Sequence, residues 1–141
     1  MNTTKLVVPM AKRHWPRPTL RFDGEGPFSV AGIVHRKADA RRFAEGALRS
    51  DRKDLKYGLD AVREPNNPHD RNAVKLFGWW TGRGWFGGMK RDLAFIGYVP
   101  TDIAQAVVAA YGPDRNPDIA LYSVYIGQDG FVDVKGIVIR P

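Results

Sequence analysis

Residues 63–76 of the chain read REPNNPHDRNAVKL. This stretch begins with a dense cluster of turn-forming residues and ends in a β-rich apolar run that continues to Trp80. Asn66 and Asn67 lie between two prolines, and proline fixes its own backbone and disfavours helix in the residue before it. The stretch therefore predicts a fixed loop that leads into a strand.

Strands joined by hairpins are predicted on both sides of this loop. A strand precedes it near residues 57–64. Residues 81–92, TGRGWFGGMKRD, indicate a glycine-rich hairpin excursion that returns in a strand at 94–99. The end of the chain predicts a last hairpin, with strands at 119–126 and 131–139 around a turn that contains Asp-Gly, a favoured tight-turn pair.

Two helices interrupt the strands. Residues 38–49 carry one apolar stripe at helical spacing, and residues 102–111 carry another, with Thr101 or Asp102 as the expected N-terminal cap. The first stripe consists of Ala40, Phe43, Ala44, Ala47 and Leu48. The second helix is expected to pack through Ile103, Val107 and Ala110, because a one-sided apolar face must be buried.

The chain predicts one domain behind a basic arm. Residues 1–20 lack periodicity and contain three prolines, so we expect an extended, partly disordered arm ahead of a domain at 21–141. An opening strand is predicted at 28–35, with Gly32 marking a bulge or a close backbone approach. The order β–α–β–β–β–α–β–β predicts a mainly β fold with two helices, a small and partly closed β-barrel.

Composition excludes several classes of protein. The 141 residues include no cysteine, which excludes a disulfide scaffold, a zinc ribbon, an iron–sulfur site and thiol catalysis. No apolar run approaches the roughly 20 residues of a membrane span, and Pro9 breaks the N-terminal apolar stretch too early for a secretory signal. We therefore expect a cytoplasmic protein with no membrane partner, no cofactor and no metal.

The net charge of +7 is unevenly distributed. The basic excess lies in residues 1–21 and 34–56, whereas residues 57–141 carry equal numbers of basic and acidic side chains. This pattern predicts a polyanionic partner. Two interpretations of the basic arm stay open: it neutralises a nucleic-acid backbone beside the binding site, or it is only a solvated arm.

The string EPNNPHDRNA at 64–73, followed by IGYVP at 96–100, resembles the HIRAN family, a small domain of fork-remodelling DNA translocases that also occurs alone in bacteria. The resemblance runs from about Phe28 to Ile139 and includes VAGIVHR at 30–36. It implies an OB-like barrel that binds single-stranded DNA and captures its free 3′-hydroxyl end. It further implies a function in DNA repair or replication-fork processing, with a helicase or nuclease as partner protein, and no catalytic residue.

The resemblance assigns binding roles to the loop. Asn66 and Asn67 belong to a fixed turn that presents backbone N–H groups to a phosphate, or they only hydrogen-bond their own backbone. His69 matches a position where the family often carries a ring that stacks on a base. Asp70 is suited to accept a hydrogen bond from a terminal 3′ hydroxyl, or it only forms a side-chain turn.

The opening strand departs from the family pattern. The family carries an arginine followed by a tyrosine, whereas this chain has Val34 and His35 there and Arg36 one residue later. In a regular strand His35 and Arg36 would point to opposite faces. Thr101 likewise replaces a lysine of the family, so two expected phosphate contacts are missing.

Two further rings complete the expected site. Tyr98 lies in the returning strand, where the resemblance implies a polar ring. Phe131 opens the last strand and matches a phenylalanine that contacts a base. Simple core packing is the alternative for Phe131.

The tryptophan-rich excursion keeps a second function class open. Trp79, Trp80, Trp85 and Phe86 lie close together in sequence near Arg83, Lys90 and Arg91. They form a stacking platform for a single strand or a protein-interaction surface. The favoured interpretation is structural: Trp79 and Trp80 split between the two faces of a strand, and the other rings cap the barrel.

Enzyme functions find little support in the sequence. The chain has no phosphate-binding glycine loop followed by Lys-Ser/Thr, and no Gly-x-Ser-x-Gly elbow. The remaining enzymatic alternative is a metal-dependent nucleic-acid hydrolase that would use Asp70, His69 and His35. We expect a binding module.

Overall fold

The computed structural model describes residues 3–9 and 26–141. These residues form seven strands, two α-helices and one 3₁₀ turn. In chain order the elements are β1 (Thr4–Val7), β2 (Phe28–Ser29), the 3₁₀ turn (Ile33–His35), α1 (Lys37–Arg52), β3 (Tyr57–Arg63), β4 (Val74–Arg83), β5 (Met89–Tyr98), α2 (Thr101–Tyr111), β6 (Ile119–Ile126) and β7 (Val132–Val138).

The strands form two antiparallel sheets. One sheet has the order β1-β6-β7-β2 and the other the order β3-β4-β5. A single backbone bridge between Ala31 and Tyr98 connects the segment after β2 with the end of β5. The sheets do not close on each other, so the predicted fold class is confirmed as a mainly β, OB-like, partly open barrel with two helices.

The main core lies between the two sheets and α1. The apolar stripe predicted for the first helix is buried at four of its five positions, and Phe43 is its largest member. Phe43 packs against Trp80 of β4, with the two ring centroids 6.2 Å apart. Truncation of a fully buried phenylalanine costs about 3–5 kcal/mol. The amphipathic helix is therefore a main element of the core rather than a surface addition.

The second helix differs from its prediction in two details. Pro100 occupies the N-cap position and α2 has no side-chain cap, so neither Thr101 nor Asp102 caps it. Ala110, expected in the interface, is exposed. The most buried positions of α2 are Ala104, Val107 and Tyr111. Their spacing of three and four residues rotates the packed face away from Ala110.

The glycine-rich excursion is an extension of the β4–β5 hairpin. Both strands continue into it, and only residues 84–88 form the tip. Trp80 points inward and is 6% exposed, while Trp79 lies on the outer face, so the predicted split of these two rings is confirmed. Trp85 and Phe86 are 94% and 96% exposed. The expectation that they cap the barrel is wrong, because the tip extends beyond the core.

The predicted opening strand is shorter than expected. β2 ends at Ser29, and the chain turns at Gly32, whose φ of 83° is a left-handed conformation that side chains rarely adopt. Residues 33–35 then form a 3₁₀ turn instead of a strand. The prediction that His35 and Arg36 close the first strand is therefore wrong, and the opposite orientation expected for a regular strand does not apply.

The N-terminal segment contributes to the first sheet. Residues 4–7 pair with β6 as an edge strand, and Val8 is buried in the core. Residues 10–25, which include most of the predicted arm, lie outside the described residues, and the division at residue 20 stays a prediction. Within the described ranges, neither helix has the length and apolar character needed to cross a membrane.

Candidate nucleic-acid interface

The loop between β3 and β4 is organised by the side chain of Asn67. Its Oδ1 accepts hydrogen bonds from the backbone N–H groups of His69 (2.8 Å) and Asp70 (3.1 Å), and its Nδ2 donates to Glu64 Oε1. Asn67 thus forms a turn with its own backbone, one of the two predicted alternatives. The amides of His69 and Asp70 serve this turn and cannot also serve a phosphate without breaking it.

Asp70 and its neighbours form the outer side of this loop. Asp70 Oδ1 accepts a hydrogen bond from the N–H of Asn72 at 2.8 Å, while no group among the described residues contacts its Oδ2. The side chains of Asn66 and His69 are exposed. The loop is therefore fixed by internal bonds and still offers one carboxylate oxygen and one imidazole ring to a ligand.

Glu64 connects the loop to the sheet. Its Oε2 forms an ion pair with Lys75 Nζ at 2.7 Å, and its Oε1 accepts from Tyr98 Oη at 3.1 Å as well as from Asn67. The hydrogen bond from Lys75 is the main reason that the pKa of Glu64 lies below its ordinary value. The same bond raises the pKa of Lys75, and burial is the main cause of the raised pKa of Tyr98. Glu64 is therefore charged and holds three partners in place.

Arg36 lies over the ring of Phe95. Its guanidinium carbon is 4.0 Å from the centre of that ring, and Lys75 Nζ is 5.1 Å from the same centre. Phe95 in turn contacts Tyr98 edge to face, with centroids 5.5 Å apart. Two cations thus gather at the ring that packs against Tyr98, although the sequence lacks the family's cations at Val34 and Thr101.

Phe131 and Val34 line a separate surface pocket of about 450 Å³. The pocket lies between the 3₁₀ turn and the β6–β7 turn. Phe131 is 59% exposed and contacts Tyr125, so it is not a core residue. His35 is exposed next to the pocket. The lining consists of Val30, Gly32, Ile33, Val34, Lys37, Asp129, Gly130, Phe131, Val132 and Asp133.

Gly97 allows the segment after β2 to approach the end of β5 closely. Its φ is 152°, and a Cβ atom there would lie 2.3 Å from the carbonyl oxygen of Ala31. The absence of a side chain allows Ala31 and Tyr98 to exchange backbone hydrogen bonds of 2.8 and 2.9 Å. Residues 31–36 are thereby held against the end of β5.

The structure places the predicted site residues in two groups. Asn66, Asn67, His69 and Asp70 lie at the same end of the three-stranded sheet as Tyr98, and Arg36 lies over the Phe95 ring that contacts Tyr98. Phe131 lies across the pocket from Val34.

Sequence reasoning missed Glu64, Lys75 and Phe95, although Glu64 lies within the quoted motif. Their roles arise from contacts between strands, which no local pattern indicates. Among residues 3–9 and 26–141, no three His, Asp or Glu side chains come together in a way that would hold a metal ion.

A family model described as the HIRAN domain matches residues 32–128, more than half of the 141 residues. The chain belongs to the HIRAN domain family. HIRAN domains are DNA-binding modules and are not catalytic. No curated protein and no solved structure matched the chain in the corresponding searches.

Proposed function

We propose that this HIRAN domain binds single-stranded DNA and captures its free 3′-hydroxyl end at Asp70, with Phe131 as a further base contact. We further propose that it does so in DNA repair or replication-fork processing, beside a helicase or a nuclease. The observation that carries the proposal is the geometry of Asp70. One of its oxygens is fixed by Asn72, and the other has no partner among the described residues.

A carboxylate in this position would discriminate between DNA ends. It accepts hydrogen bonds only, so a 3′ hydroxyl can donate to it. A 3′ phosphate has no donor when fully ionised, and it would bring further negative charge close to the carboxylate. The exposed ring of His69, next in sequence, would supply a flat surface for the terminal base.

Arg36 and Lys75 support the proposal where the sequence departs from the family. Both lie over Phe95, which contacts Tyr98, and would attract the phosphates that the family's missing arginine and lysine would have contacted. Arg36 forms no ion pair within the described residues, so its charge is available. Lys75 shares its charge with Glu64 at 2.7 Å and would contribute less.

The test compares oligonucleotides that differ only at the 3′ end. Wild-type protein should bind a 3′-hydroxyl strand more tightly than a 3′-phosphate strand in a fluorescence titration. Asp70→Asn retains the oxygen that accepts from Asn72 but removes the charge. It should relieve the penalty on the 3′ phosphate while the loop stays folded. Asp70→Ala should also weaken binding of the 3′-hydroxyl strand, by about 1.5–3 kcal/mol.

Equal affinity of the wild type for both ends would refute end capture. Incubation of the labelled strand with Mg²⁺ in the same experiment checks the hydrolase alternative. Cleavage that is lost in Asp70→Asn would favour that alternative over a binding module.

A further inference from the structure

A row of aromatic rings lies on the outer face of the three-stranded sheet, away from the core. In the register of β4 and β5, Lys75 pairs with Tyr98, Phe77 with Phe95 and Trp79 with Leu93. The Phe77 and Phe95 centroids are 5.5 Å apart, and Phe95 is equally far from Tyr98. The row thus begins at the candidate end-binding site and runs along the hairpin toward its tip.

These rings are only partly covered. Phe77, Trp79, Phe95 and Tyr98 all keep part of their surface in solvent, and the neighbouring Leu93 is 50% exposed. The hairpin tip beyond the row carries Trp85 and Phe86, which are almost fully exposed. Contiguous apolar surface of this kind marks an interaction site more often than a passive surface.

Cations line the same row. Arg36 and Lys75 lie over Phe95, and Arg91 lies 4.3 Å from the centre of a Trp79 ring. Arg83 flanks the tip, whereas Lys90 lies on the opposite face of β5 from Arg91 and pairs with Asp92 at 3.8 Å. Two of these cations share their charge with Asp60 and Glu64 across the sheet. Rings interleaved with cations are complementary to a single strand of nucleic acid, which presents flat bases and a negative backbone.

We propose that this outer face, from Tyr98 to the hairpin tip, binds the single strand that leads away from the captured 3′ end. We call this surface the aromatic face. The proposal rests on the proposed function for the position of the 3′ end, but it adds a second binding surface. Bases would stack on Phe95, Phe77 and Trp79, and phosphates would lie near Arg36 and Arg91. The strand would run with its 5′ side toward Trp85 and Phe86.

The length of the face sets how much DNA it accommodates. From Tyr98 to Met89 the strand spans nine residue steps, or about 30 Å at the rise of an antiparallel strand. This distance corresponds to about nine nucleotides at the 3.4 Å spacing of stacked bases. Affinity should therefore keep increasing with strand length until the DNA reaches the tip.

The experiment titrates 3′-hydroxyl strands of about three, six and twelve nucleotides, two lengths below and one above the roughly nine nucleotides that the face spans. Phe77→Leu removes a ring but keeps apolar volume. It should lower affinity about tenfold for the two longer strands, the scale of one lost stacking contact, and leave the shortest strand unaffected. Trp85→Ala/Phe86→Ala should lower affinity for the longest strand only. This double variant cannot disturb the core, since both rings are in solvent.

Tyr122→Leu is the matched control, because it removes a ring from β6 on the other sheet. It should bind all three strands as the wild type does. Thermal unfolding of each variant checks that the fold is retained. If Phe77→Leu and Trp85→Ala/Phe86→Ala both bind the longest strand with wild-type affinity, the aromatic face does not bind DNA and the proposal is overturned. The same conclusion follows if Tyr122→Leu weakens binding equally.

The 3′-phosphate strand separates this proposal from the proposed function. Length-dependent losses without any preference for a 3′ hydroxyl would leave the aromatic face as a single-strand surface and refute end capture. The converse result is a wild type that prefers a 3′ hydroxyl and ring variants that show no length-dependent loss of affinity. That result would support end capture and refute DNA binding by the aromatic face.

Discussion

The hydroxyl of Tyr98 donates a hydrogen bond of 3.1 Å to the carboxylate of Glu64, 34 residues earlier in the chain. The same carboxylate holds Lys75 and Asn67, so the turn that presents His69 and Asp70 is anchored to the end of the sheet. The orientation of the candidate end-binding loop thus depends on one charged side chain that itself faces no ligand.

Glu64→Gln should reduce stability in a pH-dependent way. The folded-state pKa of Glu64 lies below its ordinary value of 4.5, chiefly because Lys75 donates to it. A lowered pKa means that the charged form is favoured in the folded state. Its contribution is therefore complete above the unfolded value and disappears as the pH falls through the folded value. Urea unfolding of both proteins between neutral pH and acid measures the difference.

The difference between wild type and Glu64→Gln should be largest near neutral pH and should close below the ordinary value of 4.5. Glu45→Gln is a suitable control, because Glu45 is exposed and, within residues 3–9 and 26–141, pairs only with Arg41 one helical turn away, at 3.7 Å. A difference for Glu64→Gln that stays constant with pH would contradict the network.

Gly97→Ala should be strongly destabilising. A methyl group there would lie 2.3 Å from the Ala31 carbonyl oxygen and 2.8 Å from Val30, and the φ of 152° is unfavourable for a side chain. Strain and overpacking together should cost about 2–5 kcal/mol in the free energy of unfolding. The control Gly82→Ala, also in a strand of this hairpin, meets no atom within 4 Å. If the two variants unfold at the same denaturant concentration, the close approach of residues 30–31 to Gly97 does not contribute to stability.

Local patterns were sufficient to predict most of the fold. The stripe from Ala40 to Ala47 and the Asp129–Gly130 turn are contained in short stretches, so α1 and the last hairpin follow from them directly. The prediction of an opening strand was wrong because residues 28–35 have strand-like composition on both sides of a glycine. Whether Gly32 bulges or turns depends on Ala31 pairing with Tyr98, which is a contact across the molecule.

The candidate site was predictable only in part. The loop motif indicates His69 and Asp70, but the partners of Glu64 come from β4 and β5. The row of Phe77 and Phe95 depends on a register that shifts between Leu76 and Phe77. A shift of one residue exchanges the two faces of a strand, so no periodicity argument could assign these rings to the same face.

The basic arm offers a test that needs no deletion of β1. Lys12→Gln/Arg13→Gln/Arg17→Gln removes three charges from residues outside the described part of the chain. If the arm follows the phosphate backbone, the slope of log affinity against log salt should decrease by up to about 2, since each single-strand contact contributes about 0.7. Arg115→Gln, from the charge-balanced segment 57–141, should leave the slope unchanged. An unchanged slope in the triple variant would make the arm a solvated segment.

His69→Ala should weaken binding without changing the preference between DNA ends. Its imidazole is exposed and forms no hydrogen bond or ion pair with the described residues, so the substitution should leave the stability of the protein nearly unaltered. Loss of a stacking surface should lower affinity for 3′-hydroxyl and 3′-phosphate strands alike, by about 1–3 kcal/mol. His69→Phe keeps a flat ring and should retain most of the affinity, because stacking needs a π face and not a proton. If His69→Ala instead removes the end preference, the imidazole acts on the terminal group itself and the stacking role assigned to His69 is wrong.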